Sequence, residues 1–167
     1  VGLDINTSRG RVTLAQEARA ITILQQCYPG VYVETNKDRP ADIDYLKIND
    51  GVVSSVIEVK CRTCNRSTFE NQFGFEWLVT ADKVQRGCRV AKSLRCNFFG
   101  VLYLVPDDLV YLVWIYDGQN NVAIATARTE VTQTQRTVNG GKALRNNMFI
   151  CMRNARVIQG ASYLESA

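Results

Sequence analysis

Pro40-Ala41-Asp42-Ile43-Asp44, Asn49-Asp50-Gly51 and Ile57-Glu58-Val59-Lys60 are the three pieces of sequence that decide the fold of this chain. The residue pattern over 42–48 and 52–60 predicts two strands, and Asn49-Asp50-Gly51 predicts the tight turn of a hairpin between them. A three-residue loop with Gly51 in the left-handed conformation sets Asp42 opposite Glu58, Asp44 opposite Val56 and Pro40 opposite Lys60. Opposed residues share a face and strand side chains alternate, so Asp42, Glu58 and Lys60 converge on one patch. A two-residue loop would place Asp42 on the other face from Glu58.

Before the hairpin, a helix is predicted over 14–27. Thr13-Leu14-Ala15-Gln16 has the form of a capping box, and Tyr28-Pro29-Gly30 ends it. Its apolar stripe is Leu14, Ala18, Ile21, Leu24 and Tyr28. Glu17 falls inside that stripe, where a carboxylate is costly unless it is paired, exposed at a cleft or bound to a metal. A short strand follows at 31–33. Beyond the hairpin, 61–79 reads as an irregular loop with Phe69, Phe73, Phe75 and Trp77 as a hydrophobic plug beneath it. A second helix covers 81–94 with Thr80 as its cap, placing Val84, Cys88, Ala91 and Leu94 inward and Lys83, Arg86, Arg89 and Lys92 outward.

The segments 98–105 and 109–116 are continuous apolar runs, suited to central strands covered on both faces and separated at Pro106-Asp107-Asp108. Weaker strand signals lie at 122–127 and 148–152, with a turn at Asn139-Gly140-Gly141. The order is helix, three strands, helix, two strands. It predicts an α/β protein with a mixed central sheet flanked by helices. A single domain over 1–167 is expected, with its core at about 13–116 and an extension at about 118–167.

The 167 residues are 46% apolar and 22% charged, ordinary for a globular protein with a real core. No apolar run reaches the ~20 residues of a membrane span, and no leader peptide is legible, so a cytoplasmic protein is expected. The chain has no histidine, which excludes Ser-His-Asp and Cys-His catalysis and His-ligated zinc. The six cysteines are expected as reduced thiols. Cys61 and Cys64 form half of a zinc knuckle, which only the irregular pair Cys88 and Cys96 could complete. Residues 1–117 carry 14 Lys and Arg against 14 Asp and Glu, so the net charge of +4 arises in 118–167. A basic end on a neutral body suits a polyanion such as nucleic acid, or simply a solvated surface.

Two opposed carboxylates repel unless a cation lies between them. Oxygen donors at this spacing suit a hard divalent ion such as Mg²⁺, and an adjacent lysine can orient an attacking water or neutralise charge on a phosphate. These parts suffice for phosphodiester hydrolysis without histidine. A hairpin face carrying scattered, mutually paired charges is the alternative.

Pro40-x-Asp42, a hairpin and Glu58-x-Lys60 resemble the signature of the PD-(D/E)xK nuclease superfamily. The resemblance covers about 13–116, because the element order matches that superfamily's restriction-endonuclease-like αβββαβ core. It implies a Mg²⁺-dependent DNA endonuclease, with Mn²⁺ substituting, found in prokaryotes or phage. Asp42, Glu58 and the Val59 carbonyl would hold the metal, Lys60 would be catalytic and Glu17 would complete the site. Asp44 is the rival to Asp42, and Lys83 and Gln85 resemble polar residues that approach such sites. Arg62, Arg66 and Lys142 are the candidate DNA contacts. The variants of this reading are a junction resolvase acting as a homodimer, and a nucleic-acid-binding module of the same fold without catalysis.

Overall fold

The computed structural model describes residues 7–36, 41–133 and 143–161. Pro40, Lys142 and the turn at Asn139-Gly140-Gly141 lie outside the described residues.

Helix α1 spans Ser8–Cys27, starting a turn and a half before the predicted boundary. Thr7 caps it by accepting from the Gly10 N–H, while Thr13 bonds back to the Arg9 carbonyl inside the helix. The Ser/Thr signal was therefore real but belonged to an earlier residue. Strand β1 (Val31–Glu34) pairs antiparallel with β2 (Tyr45–Asn49), and β2 pairs antiparallel with β3 (Val52–Arg62). The predicted loop over 61–79 is ordered further into helix α2 (Arg66–Asn71) and strand β4 (Glu76–Thr80). Helix α3 (Ala81–Leu94) returns the chain so that β5 (Asn97–Leu104) runs parallel to β3. A 3₁₀ turn at Val105–Asp107 then reverses it into β6 (Leu109–Asp117), antiparallel to β5.

Four further strands follow: β7 (Val122–Ala123), β8 (Ala127–Gln133), β9 (Leu144–Cys151) and β10 (Arg156–Gln159). Among the described residues, β1-β2-β3-β5-β6-β10 form one mixed sheet, with β7 added beside β6. A second sheet, β4-β9-β8, is wholly antiparallel. It was not legible as a sheet: β4 sits in a stretch read as loop, and exposed β8 carries no apolar alternation.

The main sheet separates two cores. On one face Ala20, Ile21, Ile23 and Leu24 of α1 pack on Ile57, Val59, Val101 and Tyr103. On the other, α3 and the small sheet share the cover, with Val84 and Ala91 beside Trp77, Val79, Ile150 and Phe98. Gly100 marks the tightest approach there, since a side chain on it would land on the Trp77 ring. Of the four aromatic residues read as a plug, Phe69 and Trp77 are buried and Phe75 packs against them, but Phe73 is exposed. Because one layer lies on each face, β3 and β5 are mostly apolar where they meet a core; Ser55 and Glu58 of β3 are buried polar exceptions, and of the two only Glu58 carries a charge.

Candidate functional site

The hairpin register decides which acid meets Glu58. Asp50 and Gly51 both have positive φ (50° and 75°), which makes a two-residue turn closed by Asn49 opposite Val52. The register then shifts once more between Lys47 and Ile48, leaving Ser54 as an extra residue opposite that step. Its hydroxyl bonds the Lys47 carbonyl and accepts from the Asn49 amide. A shorter loop and one bulge each move the pairing by one residue. Tyr45 therefore lies opposite Ile57, and the expected pairing of Asp42 with Glu58 does not occur. Face parity survives the two steps, but the acid brought beside Glu58 is Asp44.

Asp44 is held by its backbone and its side chain together. Its N–H donates to the Ile57 carbonyl (3.0 Å), and its own carbonyl accepts from the Thr35 N–H (2.9 Å). Its Oδ2 accepts from the Val59 N–H at 2.8 Å, taking the place a strand carbonyl would occupy. A strand residue sends its N–H and C=O toward the same neighbour, so the Val59 carbonyl faces this edge too. Asp42, two residues earlier, has a side chain 54% exposed and pairs with Arg86 of α3 at 3.4 Å.

Glu58 is 1% exposed. Lys60 Nζ stands 2.9 Å from its Oε1 and Lys83 Nζ 2.9 Å from its Oε2. Both contacts are ionic and poorly angled, so neither carboxylate oxygen has a well-directed hydrogen-bond donor. Burial pushes the Glu58 pKa up, and the neighbouring Asp44 charge adds to this, while Lys60 and Lys83 oppose it. Lys60 has a third of its side chain in solvent. Burial of its ammonium lowers its pKa, but the Glu58 and Asp44 carboxylates outweigh that and hold it firmly protonated. Glu17 is half-buried on α1, close enough for its charge to act on Lys60, Cys61 and Tyr45. With burial as the larger cause, it helps push the Cys61 thiol up to about 12, so Cys61 is not a thiolate nucleophile.

The remaining residues divide sharply. Lys83 and Gln85 are two positions apart on α3, and only Lys83 turns to the acids; Gln85 is exposed beside a groove lined by Val84, Cys88 and Met148. The helical pattern puts Lys83 on the outward side of α3, yet α3 lies across the hairpin end and turns that side onto 41–44. Arg62 spends its guanidinium on the Cys61 and Leu78 carbonyls, tying β3 to β4. Arg66 is exposed, with Glu70 as its ion-pair partner at 2.7 Å. The described cysteines are all free thiols. Among the described residues, no three Asp, Glu, Cys or His side chains are grouped to hold a metal.

Two carboxylates, one backbone carbonyl and two lysines thus meet at the sheet edge where β2 and β3 part. Comparison with known families, curated proteins and solved structures finds no match for this chain. Its chemistry is read from the residues themselves.

Proposed function

We propose that this chain is a metal-dependent DNA endonuclease of the PD-(D/E)xK type, hydrolysing phosphodiesters at the Asp44–Glu58–Lys60 site. The observation that carries this reading is the conjunction of Asp44 and Glu58 with Lys60 two residues along the same strand. The donor set fits Mg²⁺ or Mn²⁺. Glu58 offers two buried oxygens lacking directed donors, Asp44 is pinned beside them by Val59, and a small hard ion completes such a shell with water. Bound there, the cation would lower the pKa of a water and polarise a phosphate oxygen.

The protein's own groups divide the remaining work. Asp44 and Glu58 would hold the cation, and the Val59 N–H keeps Asp44 in place. Lys60, protonated and partly exposed, faces incoming phosphate and stabilises charge developing on it. Glu17 adds negative charge on the α1 side of the same edge. Arg66, exposed next to the strand end, is a phosphate contact of the sequence-neutral kind. Asp42, bound to Arg86 and turned to solvent, is a surface residue in this assignment.

A second reading, a DNA-binding module without catalysis, is favoured by one observation: two lysines already neutralise the acids without a metal. Cleavage of supercoiled, linear and four-way-junction DNA with Mg²⁺, Mn²⁺ or EDTA separates the two, using the parent protein beside Lys60→Ala. Metal-dependent cutting that vanishes in the variant supports the nuclease, and preference for the junction makes it a resolvase. Salt-sensitive binding without cutting on any substrate overturns the nuclease in favour of the module.

A further inference from the structure

Lys83 sits in an oxygen cage. Its ammonium nitrogen lies 2.9 Å from Glu58 Oε2, 3.6 Å from Asp44 Oδ1 and 3.1 Å from the Ala41 carbonyl. These oxygens come from β3, from the lead-in to β2 and from the segment before it. Three converging oxygens around one cation are the surroundings a divalent ion would use. Lys60 is placed differently: it contacts Glu58 from the opposite oxygen and is more open to solvent than Lys83.

We propose that Lys83 is a built-in counter-ion that bridges Asp44 and Glu58 in the metal-free protein and must leave before a divalent cation binds between them. The inference rests on the metal-dependent reading of this site. It makes α3 a regulator of loading: the bridge spares the protein two repelling carboxylates at its core edge, and it sets a threshold of cation concentration. Departure is sterically simple, because Lys83 lies in the first turn of α3, is partly exposed and carries its charge on a flexible four-carbon stem. Once displaced, its ammonium remains at the rim, within reach of a phosphate held at the same ion.

The apparent affinity of a site that is open only part of the time is reduced by that fraction, so abolishing a bridge populated nine-tenths of the time tightens binding about tenfold. The test is Mn²⁺ binding without DNA, followed by the loss of the free-ion electron paramagnetic resonance signal. Lys83→Met should bind Mn²⁺ about tenfold more tightly than the parent, and Lys83→Gln should do the same while keeping a polar group for the Ala41 carbonyl. Lys60→Met also removes a charge next to Glu58 and measures the general electrostatic gain, which should be smaller. Lys92→Met, at the exposed far end of α3, should change nothing. If both Lys83 variants stay folded by circular dichroism and bind no more tightly than Lys60→Met, the bridge is overturned while the metal site stands. If no variant and no parent binds Mn²⁺, the metal reading falls and takes the bridge with it.

Discussion

At the scale of single residues, the site turns on which of two aspartates, two positions apart, carries the charge that matters. Asp44 is buried and tied to Val59, whereas Asp42 is exposed and tied to Arg86. Asp44→Asn should lower metal-dependent cleavage by on the order of a hundredfold or more, the scale for losing one preorganised electrostatic partner. Asp42→Asn should stay within about threefold, because an exposed ion pair contributes little. Single-turnover rates on one DNA substrate check this, and equal losses would remove the distinction drawn between them. Glu17 was legible as a misfit acid because it interrupts the apolar stripe of its helix, and it is half-buried; Glu58 was legible through Glu58-x-Lys60 on the hairpin, and it is buried. The role of Lys83 was not legible. It occupies the polar side of an amphipathic helix, and only the packing of α3 across the hairpin end turns that side toward acids.

At the scale of elements, the hairpin shows how a local count propagates into a site. The turn consumes two residues, where three were expected, and Ser54 is then left out of the ladder. Because Ser54 is the unpaired residue, deleting it should leave Tyr45 opposite Ile57 and Asp44 beside Glu58. The deletion should cost about 1–2 kcal/mol, from the lost Ser54 hydrogen bonds and bulge geometry, measured by urea unfolding. Cleavage should persist. A deletion that unfolds the chain or abolishes cleavage would mean that the bulge itself, and not merely the register beyond it, shapes the site. The boundaries of α3, β5 and β6 were readable almost to the residue, since each is a long segment with a clear stop. The strands of the small sheet were not, because β8 is exposed along most of its length and gains its order from pairing with β9.

At the scale of the whole molecule, α1 is fastened to the far end of the main sheet by an ion pair of large sequence separation. Arg19 Nε donates to Asp108 Oδ1 at 3.0 Å, the Tyr103 hydroxyl donates to the same carboxylate, and the Gly160 N–H bonds the Asp108 carbonyl. The hydrogen bond from Arg19 holds the Asp108 pKa below its ordinary value, against the opposing effect of burial. A carboxyl depressed by folding contributes stability above its unfolded pKa of about 4, and that contribution is lost as pH falls through the folded value. With both side chains about a third exposed, solvent screens the pair to roughly 0.5–1 kcal/mol. Asp108→Asn should therefore lower the Tm at pH 7 and lower it less near pH 2. An equal deficit at both pH values would show that lost packing, not charge, accounts for the effect. No helix among the described residues is long and apolar enough to cross a membrane.

What the sequence by itself determined is what local chemistry can encode. Long apolar runs specified β5 and β6, amphipathic periodicity specified α3, and the absence of histidine confined any catalysis to carboxylates, lysines and thiols. Asp-Gly marked the turn, and Glu58-x-Lys60 marked the strand of interest. The tertiary structure alone decided the partner of Glu58 and the direction of Lys83. Register depends on a turn length and a bulge whose energies differ by little, and each step of one residue is settled by packing on both faces at once. The approach of α3 to Asp44 joins segments some forty residues apart, a distance over which no periodicity carries information.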